Sequence, residues 1–154
     1  MTIRCATRED LAAIVLMAAK FAAADSYRGF VSQNVEQLEQ LARFLLEHGA
    51  IFVAEDTRGP AIVVGMIGVS VLAHPIDGAI VGSEVAWWIE PDFRGGSAGV
   101  RLLEAAEAWA RAMGATRFQM VAPALNPRVG EFYRRRGYAE VETTWQRELA
   151  GEGV

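Results

Sequence analysis

Arg94-Gly95-Gly96-Ser97-Ala98-Gly99 lies between two runs of different period. Before it, Glu84-Val85-Ala86-Trp87-Trp88-Ile89 reads as a strand. After it, Val100 to Met113 reads as a helix, with Leu102, Leu103, Ala106, Ala110 and Met113 on one side. A strand, a glycine-rich turn and a helix start together make an anion site. The first helical N–H groups have no partner inside the helix, and the macrodipole places partial positive charge there. Glycine lets the main chain approach a phosphate with no Cβ in the way, so Gly96 and Gly99 are expected to tolerate side chains poorly. Arg94 adds a forked cation at the rim. The stretch reads as a cradle for a pyrophosphate.

Two common pyrophosphate binders do not fit. A P-loop ends in Gly-Lys-Ser/Thr, and no lysine follows Gly99. The dinucleotide fingerprint follows the first strand of a βαβ unit, whereas this loop stands past the middle of the chain with the wrong glycine spacing. Coenzyme A remains.

The flanking chain supplies the frame. Upstream, Thr2 to Ala6 reads as a first strand, with Cys5 as a small buried residue in it. Thr7-Arg8-Glu9-Asp10 has capping-box spacing and opens a helix that runs to about Ala23. Asp25 to Ser32 is a loop whose Tyr27 and Phe30 either line a pocket or pin the loop to the core. Asn34 opens a second helix, and Gly49 ends it at a left-handed position. Ala50 to Ala54, Ala61 to Leu72 and Ile80 to Ile89 form a meander of three antiparallel strands. The interior glycines Gly65 and Gly68 mark a bulge or a close approach. Downstream, Thr116 to Val121 is a strand. Asn126-Pro127 then starts a short helix with Phe132 and Tyr133 inward and Gly137 at its end, and Tyr138 to Leu149 reads as one bent strand or two short ones. The order predicts a single α+β domain over 1–150, with a mixed, mostly antiparallel sheet flanked by helices, and a tail over 151–154.

Composition narrows the function classes. The chain has 154 residues, enough for one real core, and a formal charge of −4 with scattered basic residues, which gives no footprint for nucleic acid. A lone cysteine excludes an internal disulfide, and His48 and His74 have no metal-ligand spacing with it or with each other, so no metal is expected. The apolar run from Leu11 to Ala19 follows Glu9 and Asp10, is closed by Lys20 and is too short to span a bilayer. It reads as a core helix, with no membrane partner, of a cytoplasmic protein.

Several of these stretches resemble the GNAT N-acetyltransferase superfamily. Arg94-x-x-Ser97-x-Gly99 is similar to the family's R/Q-x-x-G-x-G/A motif, with Ser97 where a glycine is usual. Asn126 followed by Phe132-Tyr133-Arg134-Arg135-Arg136-Gly137-Tyr138 is similar to its N…FYxxxGF/Y segment. The element order agrees along nearly the whole chain. The resemblance implies acetyl-CoA as co-substrate and transfer of its acetyl group to the primary amine of a small molecule or peptide. It implies that the N–H groups of Arg94, Gly95, Gly96, Ser97, Ala98 and Gly99 hold the pyrophosphate. It implies that Ile89 offers its N–H to the acetyl carbonyl or pantetheine, that Asn126 contacts the coenzyme A arm, and that Tyr133 protonates the departing thiolate. An amine acceptor must lose a proton, which calls for a nearby carboxylate. Glu84 is the first candidate and Glu90 the second, with Glu84, Ala86 and Trp88 sharing one face if the strand is regular. Two other functions stay open at this point: a non-catalytic acyl-CoA sensor, and a ligand-free interaction domain in which a hydrophobic-patch homodimer accounts for the tryptophans.

Overall fold

A computed structural model describes residues 1–149; the tail predicted at 151–154 lies outside the described residues. Five strands form one sheet in chain order: β1 (Thr2–Cys5), β2 (Ala50–Asp56), β3 (Ile62–Ala73), β4 (Ile80–Ile89) and β5 (Arg117–Gln119). The first four pair antiparallel. β5 pairs parallel with the beginning of β4, through Val81↔Arg117, Gly82↔Phe118 and Ser83↔Gln119. The long helices are α1 (Leu11–Ala23), α2 (Val35–His48), α3 (Ala98–Ala112) and α4 (Pro127–Arg135). This is the α+β architecture with a mixed sheet that the element order predicts.

The strands are apolar on both faces because helices cover both. On one face Ile14, Met17 and Ala18 of α1 and Ala42 and Leu45 of α2 pack on Ile51, Val53, Met66 and Ala86. On the other, Ala98, Leu102 and Ala106 of α3 pack on Ala50, Ala54, Val64, Ile67 and Val69. Small residues on α3 let it lie close to the sheet. At Gly82 an added Cβ would sit 2.7 Å from both Ala110 Cβ and the Phe118 ring. The turn before α1 is held by Arg4, which donates to Asp10 at 2.8 and 2.9 Å and to Glu55 at 3.0 Å, while Asp10 accepts from the Thr7 N–H at 2.8 Å. Asn34 caps α2 by accepting from the Gln37 N–H at 3.0 Å.

Both interior glycines of β3 lie at irregularities. Val64 is an extra residue beside Gly65, opposite β2. Val85 of β4 is an extra residue opposite the Gly68–Val69 step. The Val85 bulge breaks the alternation expected of Glu84, Ala86 and Trp88. Ala86 pairs with Gly68, where a Cβ would meet Leu45 of α2, whereas Glu84 pairs with Val69 of the α3 face.

Three other expectations are corrected. Gly49 ends α2 at φ −120°, not in the left-handed region; a side chain is excluded there because Cβ would lie 2.4 Å from the Val69 carbonyl oxygen. Cys5 is exposed. The final strand over Tyr138 to Leu149 is not formed. Val141, Thr143 and Trp145 have the alternation of a strand, yet Val141 and Trp145 are 75 % and 91 % exposed and no ladder takes them in. No helix among the described residues is long and apolar enough to cross a membrane.

Candidate active site

The site is built on β4, and its shape follows from where β5 stops. β5 pairs with β4 only as far as Ser83↔Gln119, while β4 continues six residues further to Ile89. Beyond Ser83 the two chains part and leave a notch in the sheet. On the other side β4 stays paired with β3 to its end, where the Glu90 N–H donates to the Val64 carbonyl at 2.8 Å. Strand alternation therefore turns the Ile89 N–H and carbonyl the opposite way, toward the notch.

Glu84 stands where the notch opens. It is 9 % exposed, and its Oε2 accepts from the Val121 N–H at 3.1 Å. The carbonyl of Val121 accepts in turn from the Tyr133 hydroxyl of α4 at 3.1 Å. One residue's main chain thus joins both side chains expected to do chemistry. Burial pushes Glu84 up to about 7, against the opposing pull of the Val121 N–H. Burial first, and the Glu84 charge second, push the Tyr133 hydroxyl well above the usual tyrosine range, so it keeps its proton at neutral pH. The Tyr133 ring lies against Trp87, Phe132 and Tyr138, with centroids 6.4, 5.8 and 5.7 Å apart. Tyr27, from the turn between α1 and α2, belongs to the same electrostatic cluster. Burial and then the Glu84 charge push it up to about 12, and its ring is 4.9 Å from that of Phe21.

At the far end of β4 the chain turns through Pro91–Phe93 into the glycine loop and α3. Ser97 occupies the N-cap position without a side-chain capping bond. Among the described residues no acceptor takes the N–H groups of Ala98, Gly99 and Val100, so they remain available to an anion. The glycines divide the work. Gly95 adopts φ +81°, which only glycine takes without strain. A Cβ at Gly99 would lie 3.1 Å from Ile89 Cδ1 and 3.3 Å from the Trp87 ring, so this glycine packs the start of α3 against β4. Gly96 is open, with nothing nearer to an added Cβ than the Phe93 carbonyl oxygen at 3.9 Å. The intolerance expected at Gly96 is therefore not a property of the fold.

Arg94 borders the loop with its main chain, but its guanidinium is turned back. It lies 4.5 Å from the Trp88 ring centroid, and its Nε donates to the Ile89 carbonyl at 2.8 Å. Asn126 precedes α4 without a side-chain capping bond, so its amide is not spent on the helix. Glu90, the second carboxylate candidate, is held by Lys20 at 2.6 Å. The indole N–H groups of Trp87 and Trp88 are buried without an acceptor among the described residues, one on each face of the sheet. Trp145 stands apart on the exposed C-terminal segment. Sequence reasoning missed Val121, because its contribution is a peptide group and no side-chain signal marks it.

Residues 18–138 match the model of the acetyltransferase (GNAT) family. The chain belongs to that family. Its members use acetyl-CoA as acyl donor, and the free N–H groups at the start of α3 fit its pyrophosphate. No curated protein matches by sequence. Among solved structures, an aminoglycoside antibiotic 6′-N-acetyltransferase from Acinetobacter haemolyticus superposes with TM-score 0.75 at 19 % identity, covering 99 % of this chain and 100 % of that one. An aminoglycoside N-acetyltransferase in complex with CoA gives 0.76 at 15 % identity, over 97 % and 95 %. A ribosomal-protein-alanine N-acetyltransferase from Brucella melitensis gives 0.70 at 16 %, over 97 % and 100 %. At these identities the likeness is one of fold.

Proposed function

We propose that this GNAT protein transfers the acetyl group of acetyl-CoA to a primary amine of a small molecule or peptide, with Glu84 as general base and Tyr133 as general acid. The Glu84–Val121–Tyr133 connection carries the reading: a carboxylate with its pKa near neutrality and a tyrosine that keeps its proton hold one peptide group at the mouth of a notch whose far end carries the Ile89 N–H. A general base works best when its pKa lies near the operating pH, and burial places Glu84 there.

In this reading the N–H groups from Gly95 to Gly99 hold the pyrophosphate, that of Arg94 being taken by the Pro91 carbonyl at 3.2 Å, Asn126 contacts the coenzyme A arm, and the notch takes the pantetheine. Ile89 donates its N–H to the acetyl oxygen as negative charge develops on it. The amine nitrogen forms a bond to the acetyl carbon, and the carbon–sulfur bond breaks. Glu84 takes the proton that the nitrogen loses, directly or through water. Tyr133 gives its proton to the departing thiolate; its hydroxyl turns about the ring bond, so the same oxygen serves Val121 at rest and sulfur in the reaction. Solvent exchange resets both groups. The named neighbours act on aminoglycosides and on a ribosomal-protein alanine, which supports an amine acceptor for this chain without choosing between the two classes.

Thiol release from acetyl-CoA across a panel of aminoglycosides, polyamines, arylalkylamines and peptide N-termini tests the proposal. Turnover with at least one class is the expected result. Tight binding of acetyl-CoA with no turnover on any amine would favour a sensor on the same fold.

A further inference from the structure

The loop read above as the coenzyme A cradle carries one cation of its own, Arg94, which is exposed. Arg94 is the only basic residue between Glu90 and Val100; its Nε is taken by the Ile89 carbonyl and the Trp88 ring lies against its guanidinium. Coenzyme A carries a phosphate monoester on its ribose in addition to the pyrophosphate, and that group keeps close to two negative charges at neutral pH. A cleft of about 370 Å³ continues from Arg94, Gly96 and Ser97 past Phe93 to Asp56 and Arg58, where the chain turns between β2 and β3, and to Met1.

Arg58 is oriented within this cleft. Asp56 accepts from its Nε at 3.0 Å and from its Nη2 at 3.0 Å, and the guanidinium carbon lies 5.9 Å from the Phe93 ring centroid. Among the described residues no acceptor takes Nη1. The side chain is 78 % exposed, so a phosphate can reach it without displacing packed groups. Asp92 lines the same cleft and opposes an anion, which makes the expected gain moderate.

We propose that Arg58 is a cation that holds the ribose 3′-phosphate of coenzyme A, so that this chain distinguishes coenzyme A from 3′-dephospho-coenzyme A through the β2–β3 turn. The assignment rests on the cradle reading of the Arg94–Gly99 loop. Its basis is placement: an oriented, exposed guanidinium with free donors, in a cleft continuous with the loop and shared with Arg94. Phosphate recognition by arginine is a charge-assisted hydrogen bond, roughly twice as strong as a neutral one.

The test is equilibrium binding by calorimetry, with coenzyme A and 3′-dephospho-coenzyme A titrated into the wild type and Arg58→Ala. Melting temperatures of both proteins check that the variant is folded. The wild type is expected to bind coenzyme A about tenfold more tightly than the dephospho form, the size of one charge-assisted contact. Arg58→Ala should erase that preference while leaving dephospho-coenzyme A affinity within about twofold of wild type. Equal weakening toward both ligands would place Arg58 on the pyrophosphate and overturn the assignment. Wild type binding both ligands alike would overturn it while leaving the cradle intact. Wild type binding neither would remove the cradle and this assignment together.

Discussion

β4 begins closed and ends open, and the two ends differ in what their side chains are for. At the closed end Val81 to Ser83 is paired on both edges, and Gly82 is pressed between α3 and β5 so tightly that a Cβ would meet both at 2.7 Å. At the open end Trp87 to Ile89 is paired on one edge only, two buried indole N–H groups lack acceptors, and the Ile89 N–H faces the notch. Glu84 stands between these regimes, buried like the first and chemically unsettled like the second. The comparison teaches that this strand gains its candidate function where it loses a neighbour: main-chain groups left unmatched by β5 are the ones a thioester can use.

The largest expected effect comes from removing the charge at the junction. Glu84 is raised from an ordinary 4.5 to about 7. A carboxyl whose folded pKa is raised stabilises the fold below the unfolded value, and that contribution is lost as pH rises through the folded value. Wild-type stability should therefore fall relative to Glu84→Gln between about pH 4.5 and 7. The gap should level off above that at about 3 kcal/mol, at roughly 1.4 kcal/mol per unit. Denaturant melts in a pH series read this directly; a gap independent of pH would mean Glu84 is not titrating in the folded protein. The same variant should lose any rise in kcat/KM centred near pH 7, keeping only the rise that follows deprotonation of the acceptor.

Next comes Tyr133→Phe, which keeps the ring contacts and removes one hydroxyl. Turnover should fall about a hundredfold, or about 2.7 kcal/mol, the lower end for a lost general acid. Coenzyme A affinity should stay within a few-fold. Pre-steady-state thiol release separates the two quantities, and unchanged turnover would leave Tyr133 as a ring that packs and a hydroxyl that holds Val121. Smaller still is Gly95→Ala. With φ at +81° and no atom within 4 Å of the new Cβ, it should cost about 1 kcal/mol of stability through backbone strain alone. A loss several times larger would show that the turn is packed in a way the glycine geometry does not reveal.

Much of this arrangement is readable from residues near one another in the chain. Asn34 before α2, Asn126-Pro127 before α4 and the strand–glycine–helix run around Arg94 carry local chemistry, and each element forms where it is expected. What depends on distant partners is not readable. The notch exists because Ser83↔Gln119 is the last β4–β5 pair, and nothing in either stretch announces that. The Val85 bulge moves Glu84 out of step with Ala86, although the residues alternate normally in sequence. Gly96 and Gly99 look equivalent as text, yet one faces open space and the other packs on Ile89 and Trp87. Tyr138 to Leu149 has a strand's period, but a strand also needs a neighbour's edge, and none among the described residues receives it.

The open position at Gly96 also supplies the most direct test of the central claim, that the Arg94–Gly99 loop binds the pyrophosphate of acetyl-CoA. Gly96→Glu places a carboxylate in the cradle at a site where the fold has room for it, unlike Gly99. The measurement is the thermal shift of wild type and variant with acetyl-CoA. At a hundredfold excess over its dissociation constant the ligand should stabilise the wild type by about 2.7 kcal/mol. Gly96→Glu should melt like the ligand-free wild type and show no shift at the same concentration. A wild-type-sized shift in Gly96→Glu would place the pyrophosphate elsewhere and contradict the account.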